Sequence, residues 1–133
     1  MKKQLIFFVL LTVSYFGFSQ GLLSDKEKFN RQDTLRGSIT PEREWWDLKY
    51  YHLDIDVNPN YKFISGKNTI QYEVLKPYQT MQIDLQSPME ITKVIQNGKE
   101  LDVKHEGNAH FIQLNEKQNI DDINSVIVHY KGL

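Results

Sequence analysis

The chain has no cysteine, so it can form no disulfide, no thiolate nucleophile and no cysteine-based zinc site. Charge of one sign is also missing. Sixteen Lys and Arg stand against seventeen Asp and Glu, a formal net charge of −1, and the two signs are mixed throughout. Without a basic stripe to neutralise phosphates, nucleic-acid binding is excluded as a function class. Only seven glycines occur, none in a phosphate-cradling loop, and no serine sits in a G-x-S-x-G elbow. Beyond the N-terminus there is no long apolar run and no sustained 3.6-residue period.

The one apolar run, Leu5 to Phe18, follows Lys2 and Lys3 and closes on Gly17-Phe18-Ser19. That order is a charged n-region, an h-region and a small-residue cleavage site, so residues 1–19 read as a signal peptide cut before Gln20. The run is shorter than the roughly 20 residues a membrane span needs, and removal is expected rather than anchoring. Cleavage takes two lysines and no acid, moving the net charge from −1 to −3. The mature protein is then periplasmic or secreted, with no membrane anchor. Residues 20–40 are mostly polar and without clear period, and read as a flexible linker or loosely docked arm. Residues 41–133 read as an N-terminal β-domain that is expected to be incomplete, and the roughly 110 mature residues suffice for one ordinary core with little surplus.

At the start of that domain, Thr40-Pro41 reads as the cap and first position of a short helical turn. The period then becomes two. In Tyr51-His52-Leu53-Asp54-Ile55-Asp56-Val57 the apolar residues share one face and His52, Asp54 and Asp56 the other, which predicts a half-buried strand. Asn58-Pro59-Asn60 turns the chain into a second strand, Phe63 to Val74, with Ile70, Tyr72 and Val74 inward. Further strands are expected around Met81–Leu85, Ile91–Ile95, Glu100–Lys104, Phe111–Leu114 and Val126–Tyr130. Asn97-Gly98 predicts a type I′ hairpin, and Gly107-Asn108 a second turn. About seven short strands without a long helix give an all-β class: an antiparallel β-sandwich or saddle-shaped sheets.

Three constellations invite a catalytic or binding reading. His105-Glu106-Gly107-Asn108-Ala109-His110 resembles the zinc-protease H-E-x-x-H motif but is one residue too long. That chemistry needs both imidazoles on one helical face, and Gly107-Asn108 breaks a helix. The two histidines can instead meet across a hairpin, where exposed polar strand residues are the simpler account. Asp54, Asp56 and Asn58 open like a calcium loop, yet Pro59 stands at position six and Ser65 at position twelve. A solvated strand face accounts for those acids. Trp45, Trp46, Tyr50 and Tyr51 crowd together as a core or as a glycan-binding strip, and large aromatics beside a strand usually pack inward.

Taken in order, Tyr51–Val57, Ile64-Ser65-Gly66-Lys67-Asn68-Thr69-Ile70, Met81–Leu85, Ile91–Val94 with Gly98, and Val126–Gly132 resemble the N-terminal domain of the zinc aminopeptidase N family, which includes leukotriene A hydrolase. The preamble from Asp33 to Asp47 resembles exported members from Bacteroidetes-type bacteria. This resemblance implies a β-saddle that packs on a catalytic domain and helps close a peptide cleft. It implies zinc in the parent enzyme, held by an H-E-x-x-H helix and a distant Glu in the next domain. None of those motifs occurs in this sequence, so no catalytic, cofactor-binding or metal residue is assigned, and the chain alone is expected not to be an enzyme. The rival expectation is an independent secreted β-sandwich module that binds glycan or protein.

Overall fold

A computed structural model describes residues 28–133; the expected signal peptide lies outside them. Two short helices precede seven strands: α1 (Arg31–Gly37), α2 (Pro41–Glu44), β1 (Trp46–Asn58), β2 (Phe63–Val74), β3 (Thr80–Asp84), β4 (Glu90–Gln96), β5 (Lys99–Glu106), β6 (Ala109–Gln113) and β7 (Ile123–Gly132). All pairings are antiparallel, in the order β1-β2-β7-β4-β5-β6-β3. The architecture is therefore all-β and a single curled sheet, the saddle-like form of the two expected.

The curl comes from β5. Its first part, Lys99 to Leu101, pairs with β4, and its second part, Asp102 to Glu106, pairs with β6. Changing partner midway carries β6 and β3 across one end of the β2-β7-β4 face. Met81 and Ile112 from this flap then join Ile70, Tyr72, Val74, Val94, Leu101, Val126 and Val128 in one core. The hairpin entering β5 turns on Asn97 and Gly98, whose φ values of 50° and 77° are the two positive angles a type I′ turn requires.

Trp45 is the centre of that core. It is 1% exposed, donates its indole N–H to the Thr80 carbonyl at 2.8 Å and meets Tyr72 edge-on with ring centroids 5.7 Å apart. Its carbonyl accepts the amides of Leu75 and Lys76, so the start of β1 and the end of β2 are held on the same residue. Tyr72 is fully buried, and burial pushes its phenol up to about 12. Kept protonated, it donates to Gln118 Oε1 at 2.8 Å and accepts from Gln96 Nε2 at 3.0 Å.

Two expectations are corrected here. The stretch read as a flexible linker or loosely docked arm is docked and contains a helix, α1, capped by a reciprocal Asn30–Asp33 box and anchored through buried Leu35. Its attachments are long-range: Arg31 to Glu106, and the Leu35 carbonyl to Gln82 Nε2. A polar segment with one apolar anchor shows no period, which hid the helix. Conversely, β1 is not half-buried. Tyr51, Leu53, Ile55 and Val57 share a face as predicted, yet they are 46%, 55%, 53% and 57% exposed. Alternation fixed which way they point, but β1 is an edge strand and the flap does not reach it.

Candidate functional site

The uncovered end of the inner face is the first candidate. Register sets Tyr51 beside Ile70, Leu53 beside Asn68 and Val57 beside Ile64; β2 in turn sets Asn68 beside Val128 and Gly66 beside Tyr130. A groove of about 620 Å³ runs between these strands and the flap, with Leu53, Tyr51, Trp46, Ile83, Ile91 and Tyr130 among its walls. Its lining is largely apolar. Asn68 Oδ1 is buried in this groove without a hydrogen-bond partner.

At one rim Arg43 pairs with Asp84, and Thr40 donates to Gln82 at 2.8 Å. At the other, Gly66 lies so close to the Asp54 carbonyl that a Cβ would collide with it. The close approach keeps β1 and β2 tight where the apolar row is most exposed.

The alternate positions of these strands are charged. A depression there is lined by Asp54, Asp56, Lys67, His129 and Lys131. Lys67 lies 3.2 Å from Asp54, and this hydrogen bond, ahead of Coulomb attraction, holds the Asp54 carboxyl below its usual range. The acids that open like a calcium loop thus sit on an exposed strand, one of them bound to a lysine. His129 is lowered by burial first, then by Lys93 and Lys67.

His105 and His110 come together, opposite each other near the turn of the β5–β6 hairpin. Their Nδ1 atoms are 2.6 Å apart and their rings stand at 80° with centroids 4.9 Å apart. His110 is buried and its Nε2 lies 3.2 Å from the Leu85 carbonyl, so Nε2 carries the hydrogen and donates. Among the described residues no third His, Cys, Asp or Glu joins them in a group that could hold a metal. The zinc-protease geometry is not available to this hexapeptide, since it spans two strands and a turn rather than a helix.

Of the aromatics singled out, Trp45 is core and Trp46 packs against it, while Tyr50 and Tyr51 stay exposed. Sequence reasoning missed Asn68, which is in phase with inward Ile70, and Gln82, which alternation placed among ordinary strand polars. Gln82 is bonded by α1 and the residue before α2, through the Leu35 carbonyl and the Thr40 hydroxyl.

What these features define is an all-β domain with a half-covered inner face. No family profile and no curated protein matches the chain. Solved structures do. The M1 zinc metallopeptidase of Deinococcus radiodurans aligns at a TM-score of 0.60 and 16% identity, over 68% of this chain and 21% of that one. Native yeast LTA4 hydrolase aligns at 0.54 and 18%, over 66% and 14%. A second structure, native leukotriene A4 hydrolase from Saccharomyces cerevisiae, gives 0.53 and 15%, over 91% and 18%. The chain therefore has a fold found within M1 zinc metallopeptidases and LTA4 hydrolase, and spans about a fifth or less of their length.

Proposed function

We propose that the chain is the non-catalytic N-terminal β-saddle domain of an exported zinc metallo-aminopeptidase, packing on the catalytic domain and helping to close its peptide-binding cleft. One observation carries this reading: a contiguous apolar row, Leu53, Ile55 and Val57 beside Ile64, is exposed on an edge strand of a fold shared with zinc metallopeptidases. A long apolar edge left open in a free monomer is a liability, so such a surface suits a partner. In the parent enzyme the zinc and its ligands belong to the catalytic domain, and residues 1–19 serve as the export signal.

The test begins with the nucleotide sequence downstream of Leu133. An open frame encoding H-E-x-x-H supports the reading, and the enzyme expressed from it should lose peptidase activity on Ile55→Arg while the isolated β-domain keeps its circular dichroism. A genuine stop codon together with a heat-resistant monomer overturns it. The alternative, a secreted module for glycan or protein, draws on the exposed Tyr50 and Tyr51. Glycan binding lost on Tyr50→Ala or Tyr51→Ala would favour that reading.

A further inference from the structure

The histidine pair lies outside the apolar groove and is not used by the reading above. Its chemistry follows from its hydrogen bonds. With Nε2–H committed to the Leu85 carbonyl, the neutral His110 ring presents a lone pair at Nδ1, and at 2.6 Å only one proton fits between it and His105 Nδ1. His105 must supply that N–H. His105 is exposed, so its other nitrogen can take up a proton from water while the bond is kept. Once His105 carries that proton, a further one on His110 Nδ1 would have to displace the bond and set two imidazolium rings face to edge.

The pair stands where several attachments meet. The next residue, Glu106, binds the guanidinium of Arg31 with both carboxylate oxygens, and its carbonyl accepts from Gln32 Nε2 at 3.3 Å. His110 is opposite Ile83 of β3, and the loop after β3 supplies the Leu85 carbonyl. Hence α1, β3, β5 and β6 all converge on this hairpin end.

We propose that His105 and His110 form a proton-gated latch: one N–H···N bond that closes the end of the β5–β6 hairpin at neutral pH and releases it, together with α1, on acidification. Asp84, at the end of β3, attracts a proton on His110 but is already paired with Arg43 of α2. Lys93 of β4 and Glu100 and Asp102 of β5 line the same shallow groove as His105, and Lys104 flanks it on β5. On α1, Arg31 is paired with Glu106, and Asp33 with Arg36. The Arg31 hydrogen bond, ahead of attraction by Arg31 and Lys104, holds the Glu106 carboxyl below its ordinary range, so Glu106 stays ionised while a histidine titrates and the loosening of α1 follows from movement of the hairpin end that carries it.

The sign follows from the environment. Burial, the largest influence, holds His110 below its ordinary value of 6.5; the hydrogen bond to the Leu85 carbonyl comes next and opposes it, the charge of His105 adds to the lowering, and Asp84 opposes it least. The open hairpin therefore binds one proton more than the closed one as pH falls below 6.5. Closure is intact above that pH and is lost as pH falls.

Amide exchange of the whole chain followed by NMR between pH 7.5 and 5, corrected for intrinsic chemistry, tests the latch. Protection of Ala109–Gln113 and of α1 should fall by up to about tenfold per pH unit below 6.5. His110→Asn, which cannot be protonated, should remove that slope. Protection that does not change with pH, or an equal slope in His110→Asn, overturns the proposal. Should His110→Asn not fold, His105→Gln keeps a donor but no cation. The His110 ring resonances should then titrate at higher pH than in the parent chain, and an unchanged midpoint overturns it.

Discussion

The two ends of the inner sheet face carry the same alternation and meet different fates. At one end Tyr72 and Val74 of β2 lie under Trp45 and the β3–β6 flap with no exposure at all; at the other, Leu53, Ile55 and Val57 of β1 stand more than half exposed. Period-two patterning is a property of the extended backbone, which sends neighbouring side chains to opposite faces. Burial is a property of what packs on that face. The comparison teaches that a clean strand pattern predicts direction and leaves coverage open.

The sharpest way to break the comparison is to make the same change at both ends. Trp45→Ala should cost about 3–5 kcal/mol in denaturant unfolding, through lost packing and a vacated cavity. Ile55→Ala in the same isolated chain should stay within about 0.5 kcal/mol. An equal loss at both positions would show that β1 is covered after all.

Intermediate effects probe the supports. Tyr72→Phe removes the hydroxyl to which Gln118 and Gln96 are bound, and should cost about 1–3 kcal/mol with little change in shape. Gly66→Ala drives a methyl into the Asp54 carbonyl, so about 1–3 kcal/mol is expected, with the amides of β1 losing exchange protection first. Asn30→Ala removes the capping box of α1 and should cost about 1 kcal/mol, read as faster exchange confined to Arg31–Gly37.

The smallest effect on stability should accompany the clearest effect on association. Leu53→Lys together with Ile55→Lys should leave the unfolding midpoint within about 0.5 kcal/mol of the parent. Sedimentation should show concentration-dependent association in the parent chain and a monomer in the variant, since lysines on an edge strand oppose pairing. A monomeric parent at high concentration would show that the open face needs no cover.

Legibility in the sequence followed locality. Asn97-Gly98 could be read because two residues suffice to specify that turn, and the β2 face because three alternating positions coincide with its core. Thr40-Pro41 likewise marked the start of α2, although Thr40 turns its hydroxyl to Gln82 rather than capping the helix. The meeting of His105 and His110 was foreseeable from their places on either side of a hairpin turn. Its consequence was not, because the Leu85 carbonyl that fixes the tautomer arrives from the loop after β3. The docking of α1 was hidden for the same reason: Glu106 and Gln82, which hold it, lie 75 and 47 residues away from Arg31 and Leu35.

By itself the sequence determined the strands, their turns, the direction of every alternating side chain, and the absence of thiol chemistry and of a helical H-E-x-x-H. Tertiary structure alone decided that β5 changes partner, that one end of the face is roofed and the other open, and that a polar arm is held in place. The physical reason is range: backbone geometry is settled between neighbours, whereas burial, tautomer and an unpartnered amide oxygen depend on atoms brought in from distant parts of the chain.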